Sequence, residues 1–125
     1  MRRDAGSAAA EFVMVAALLT VLTLGVLQLG VALLVRNTAL DAASEGARFG
    51  ALADNAPEDG VARTRQLIST AIGAEYARDV HVAAGEWHGR PAVTVTVRTT
   101  LPLLGLLGVG GALEVTGHAA RETLG

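Results

Sequence analysis

The chain has 125 residues, ten basic and twelve acidic side chains, a formal net charge of −2 and no cysteine. Once its apolar N-terminal segment is set aside, this length supports one small core, held together without disulfides and offering little room for a deep enzymatic pocket. From Arg36 to Gly125 eight arginines face ten acids, so there is no basic stripe to neutralise a phosphate backbone, and nucleic acid is excluded as a partner.

The chain opens on Arg2, Arg3, Asp4, Ala5 and Gly6, passes through Ser7-Ala8-Ala9-Ala10-Glu11, and enters an uncharged stretch from Phe12 to Val35 that ends at Arg36. Those twenty-four residues, as a helix rising ~1.5 Å each, cover roughly 36 Å and cross a hydrocarbon core of about 30 Å with some tilt. By the positive-inside rule the short arginine-bearing tail stays cytoplasmic and the body is exported. A cleaved secretory signal has a shorter apolar region of about 7 to 15 residues, so the span is expected to stay with the protein.

Glu11 stands at the mouth of this span. A carboxylate at the bilayer centre costs roughly 2.5 to 3.5 kcal/mol, and less near the interface. Two readings follow. Glu11 is solvated among the headgroups without further role, or it is paired. A cut after Gly6 creates an amine at Ser7, four residues before Glu11, a spacing that permits pairing within the chain or with a neighbour.

Gly6, the run Ser7 to Phe12 and the apolar helix behind them resemble the processing site of type IV pilin-like precursors. More closely, the chain resembles the TadE-like minor pseudopilins of the tight adherence (Tad/Flp) pilus system. Arg36-Asn37-Thr38 and Asp41-Ala42-Ala43-Ser44-Glu45-Gly46-Ala47-Arg48 resemble that family's segment just outside the membrane. The resemblance covers residues 4 to about 52 well and the remainder weakly. It implies cleavage between Gly6 and Ser7 by a membrane prepilin peptidase, with Glu11 and Phe12 as recognition and assembly residues. Other pilins or pseudopilins and the Tad assembly machinery are the implied partners, and the protein is a substrate rather than a catalyst. Gly6 suits such a site because a residue without Cβ lets the backbone lie extended in a protease groove.

Beyond the span, Ala39, Ala43, Ala47 and Gly50, with Gly46 beside them, form a helical stripe of residues no larger than alanine. Such a stripe lets two helix backbones approach closely. Glycine costs roughly 1 kcal/mol against alanine inside a helix, and close packing is the reason to tolerate Gly46 and Gly50. Glu45 and Arg48 are spaced to pair on the opposite side.

Asp54 to Gly60 breaks the chain with turn formers. Pro57 suits a first helical turn with acids behind it, and Val61, Ile68 and Ile72 then mark an amphipathic helix from about Pro57 to Tyr76. Val80, Val82 and Ala84 alternate as one strand and Val93, Val95 and Val97 as another. Glu86 to Pro91 is the predicted hairpin connection. Leu113 to Thr116 begin a third strand that ends near Arg121. The apolar link Leu101 to Gly111, broken by glycine and proline, is too short to span and is expected to cap the sheet or to form an exposed patch.

His81, His88 and His118 are the candidates for metal or base chemistry. His81 and His88 flank the predicted hairpin with Glu86 and are placed to meet. No tight histidine spacing accompanies them, and a metal site is not expected. Asp54 and Asp59 flank a loop without calcium-loop spacing. Ser7, Ser44 and Ser69 lie outside any nucleophile elbow. Trp87, at the hairpin tip, reads as a packing or interface residue.

The expected fold is α+β: a long transmembrane helix extending outward, then a small head with one amphipathic helix and about three antiparallel strands. The expected division is a cytoplasmic leader 1–6, a pilin-like span 7–35, an extracytoplasmic helix extension 36–53 and a head 54–125. The expected protein is a single-pass membrane subunit of pilus assembly, non-enzymatic and without cofactor. The alternative is an uncleaved signal-anchor protein whose extracytoplasmic head binds a ligand or partner.

Overall fold

A computed structural model describes residues 2–100 and 112–122. The elements are α1 (Arg2–Gly50), α2 (Pro57–Ala71), a 3-10 turn (Ala74–Ala77), β1 (Asp79–Trp87), β2 (Arg90–Thr100) and β3 (Ala112–Ala120).

Helix α1 is unbroken over 49 residues, about 74 Å at 1.5 Å each. The first proline after Met1 is Pro57, so no ring interrupts its ladder. The N-terminal half stands clear of the head: Phe12 is 76% exposed and the large apolar side chains through Leu29 are exposed with it. The segment Gly6–Gly50 is a helix long and apolar enough to cross a membrane. Inside it the Thr20 hydroxyl donates to the Ala16 carbonyl at 2.8 Å, which satisfies that polar group without solvent.

The C-terminal third of α1 is the central element of the head. Ala39, Ala42, Ala43, Ala47 and Ala51 are buried in one cluster with Ile68, Val80, Val93, Val95, Val97 and Val115. Helices α1 and α2 form one layer, which packs on the inner face of a three-stranded antiparallel sheet of order β1-β2-β3. The register pairs Val82 with Val95 and Val97 with Val115, so the predicted alternating valines share the helix-facing side. Thr94, Thr96 and His118 take the other side, as period-two geometry requires.

Two boundaries differ from the periodicity. The amphipathic helix stops at Ala71, not Tyr76, because Gly73 takes φ +119°, and Ala74–Ala77 continue as a separate 3-10 turn. The hairpin connection is two residues, His88 and Gly89, rather than six, with φ of 53° and 75°. Two positive φ values match the right-handed twist of the flanking strands, so pairing runs to Trp87 and Arg90. The start of α2 follows its residues: Pro57 occupies the first turn, and the Asp59 carboxylate accepts the Ala56 N–H at 2.8 Å. The apolar link Leu101 to Gly111, expected to cap the sheet or expose a patch, lies outside the described residues.

Candidate functional site

The sequence places its candidate residues in two groups, and α1 carries both. Gly6, Ser7, Glu11 and Phe12 lie near the N-terminal end of the helix, all exposed. Ser7 and Glu11 are one helical turn apart, about 6 Å along the axis. Among the described residues no side chain pairs with Glu11. Gly6 is helical rather than extended, and a Cβ on it would meet nothing within 4 Å. An extended pose in a protease groove therefore requires the first turns to unwind.

Ala39, Ala43, Gly46, Ala47 and Gly50 form the second group, and all five are buried within the chain's own head. Their partners are local. A Cβ on Gly46 would collide with the Thr64 hydroxyl and stand 2.6 Å from the Gly60 carbonyl oxygen. One on Gly50 would lie 3.0 Å from the Pro57 carbonyl oxygen. The small-residue stripe is thus an internal seam, with Gly46 and Gly50 against α2 and Ala43 against β3. The exposed pair Arg48 and Glu45, 3.4 Å apart, borders a groove that Leu67 and Ala71 of α2 also line, rather than lying opposite the stripe, and contributes little.

Three contributors to the seam escaped the sequence reading. Gly60 sits in the second helix opposite Gly46 and Gly50. Thr64, fully buried, donates to the Gly60 carbonyl at 2.7 Å and lies 3.3 Å from the Ala42 carbonyl. On β3, Gly117 brings the strand against the α1 backbone, since a Cβ there would fall 2.5 Å from the carbonyl carbon of Ala43. The signal for Gly60 and Gly117 was available: a glycine inside a helix or strand marks a close backbone approach.

The histidines do not converge. His81 and His88 are not neighbours, since they stand seven residues apart near opposite ends of β1, about 23 Å for an extended strand. His81 is paired with Asp79. His118 Nδ1 and the Thr94 hydroxyl are 3.0 Å apart. Trp87 stacks on His118 at 5.0 Å with an interplanar angle of 2°, and meets His88 edge-on at 4.3 Å. Among the described residues no three acidic or histidine side chains gather as metal ligands. Asp59 is engaged at the N-terminus of α2 rather than facing Asp54 across a cation.

This architecture defines a class: a small α+β head carried on a single apolar helix of spanning length, which suggests single-pass membrane anchoring. Within that class residues 6–48 match the family model described as TadE-like protein, the family that the Gly6–Phe12 and Arg36–Arg48 blocks resemble. The match takes in most of α1, about a third of the chain, and none of the sheet. No curated protein and no solved structure matches the chain.

Proposed function

We propose that the protein is a minor pseudopilin, a structural subunit in assembly of a Tad/Flp-type pilus, cleaved after Gly6 by a prepilin peptidase. The observation that carries this reading is the position of Gly6, Ser7 and Glu11 at the mouth of an exposed apolar helix, inside the segment that matches the TadE-like family. Arg2 and Arg3 hold the N-terminus on the cytoplasmic side and the head lies outside. Cleavage frees an amine at Ser7 one turn from Glu11. That amine pairs with the carboxylate of the same or a neighbouring subunit, and the Phe12–Val35 faces pack laterally against other pilin-type helices. The role is mechanical rather than catalytic.

Mass spectrometry of protein extracted from membranes of cells with an active prepilin peptidase tests this directly. A chain beginning at Ser7 is expected. An intact N-terminus would overturn the processing step and favour the other reading, an uncleaved signal anchor whose head binds an extracytoplasmic partner.

A further inference from the structure

The elements of the head fix which of its ends faces the membrane. Strand β3 climbs beside α1: Gly117 abuts Ala43 and Ser44, and the Glu122 N–H donates to the Ala51 carbonyl at 2.7 Å. The five residues that lead from Gly117 to Glu122, the last two beyond β3, thus advance alongside the seven or eight that lead from Ala43 and Ser44 to Ala51, just past α1. Stepping back the same distance from Gly117 brings Ala112, and Thr100 paired with it, level with about residues 35 to 37 of α1. Helix α2 descends the other flank. Thr64 lies against Ala42, and Leu67 and Ala71 border a groove shared with Thr38 and Asp41. The 3-10 turn Ala74–Ala77 follows below. The lower end of the head therefore lies where the apolar run gives way to Arg36.

Among the described residues, burial on α1 begins inside the apolar run. Val35 is 2% exposed, and Gln28 and Ala32, on the same helical face, are half-buried. On the other side Leu33 and Leu34 are 48% and 57% exposed. A hydrocarbon core of about 30 Å that begins at Phe12 takes about 20 residues and ends near Ala32. One face of α1 is thus withdrawn from solvent at a depth where the other is exposed. At the same level stand Tyr76, the chain's single tyrosine, half-buried, and the exposed Arg36 and Arg78, with Glu75 and the Asp79–His81 pair beside them. Tyrosine is enriched at the membrane interface and arginine pairs with lipid phosphate.

We propose that the base of the head is a phospholipid-binding surface. Tyr76 and the strand ends at Thr100 and Ala112 are seated in the headgroup layer on the head's side of the membrane, where Arg36 and Arg78 engage lipid phosphates. Seating the head fixes its orientation on the membrane plane before any partner subunit arrives. This rests on the reading of α1 as a membrane span.

The test is lipid quenching in the full-length chain, reconstituted into vesicles of phosphatidylcholine and phosphatidylglycerol with acyl chains brominated near the headgroup. The single tryptophan, Trp87, borders Arg48 and Leu52 at the opposite end of the head, about 24 Å farther along α1 than Val35. It is expected to keep its emission. In a Trp87→Phe background, tryptophans introduced by Tyr76→Trp or Arg78→Trp are expected to lose about half their emission or more, as interfacial residues do. Arg78 is exposed, so its replacement leaves the packing under Tyr76 intact. Leu22→Trp, in the middle of the span, reports on α1 separately in vesicles whose acyl chains are brominated near their methyl ends, since bromine near the headgroup does not reach the centre of the bilayer. If Leu22→Trp is quenched while the two lower positions respond no more than Trp87, the head stands off the bilayer and the seat is overturned with the span intact. If Leu22→Trp is not quenched, the span itself fails and the seat falls with it.

Discussion

Gly46 and Gly60 meet through their backbones: a methyl group built on Gly60 would lie 2.5 Å from the carbonyl oxygen of Gly46. An approach this close leaves no room for a Cβ at Gly60, and it sets how deeply α2 sinks against α1. The head is assembled around the C-terminal end of the same helix that carries the apolar segment of spanning length. Motion of the one is thereby coupled to the other.

Gly46→Ala and Gly60→Ala are each expected to destabilise the head. Alanine is favoured over glycine in a helix by roughly 1 kcal/mol, but overpacking costs roughly 1–3 kcal/mol or more, and here the obstruction is backbone. Packing wins. Urea unfolding in detergent, followed by Trp87 emission, should show the lower midpoint. Gly25→Ala and Gly30→Ala, where a Cβ meets nothing within 4 Å, should leave the midpoint in place.

Thr64→Val keeps the shape of the buried side chain and removes its hydroxyl. The lost bond to the Gly60 carbonyl is expected to cost about 1 kcal/mol, the usual net value of one buried hydrogen bond. Thr64→Ser, which retains the donor, is expected to recover part of that loss in the same unfolding measurement.

At the β1-β2 turn, Gly89 has φ +75° and His88 φ +53°. Gly89→Ala is expected to lose about 1 kcal/mol, because a side chain in the left-handed region carries that order of penalty. His88→Asn is expected to gain a few tenths, since asparagine followed by glycine suits two positive φ values. Hydrogen exchange of the Trp87 and Arg90 amides measures both.

Glu11→Ala is expected to leave insertion of α1 unchanged and to impair assembly of the subunit with its partners. Alkaline extraction of membranes reads the first, and co-purification with pilus components the second. Unimpaired assembly would assign the acid to the interface alone.

Much of this architecture was legible in the residues. The span follows from an uncharged run without proline, α2 from Pro57 and the spacing of Val61, Ile68 and Ile72, and the sheet from alternating valines. Two boundaries were not legible there. Apolar periodicity does not register the positive φ of Gly73 that ends α2, and the His88-Gly89 pair does not by its composition announce a two-residue turn.

The sequence by itself determined a helix that must be covered by lipid or by other helices, since its exposed leucines and valines have no partner in the described head. It also determined the acid at that helix's mouth and the two periodicities of the head. Only the tertiary structure decided what the stripe of Ala39, Ala43, Gly46, Ala47 and Gly50 faces. Small residues permit close approach to any backbone, so the pattern cannot name its partner. The partner is supplied by Gly60, Thr64 and Gly117, residues brought from later in the chain by the return of α2 and the climb of β3.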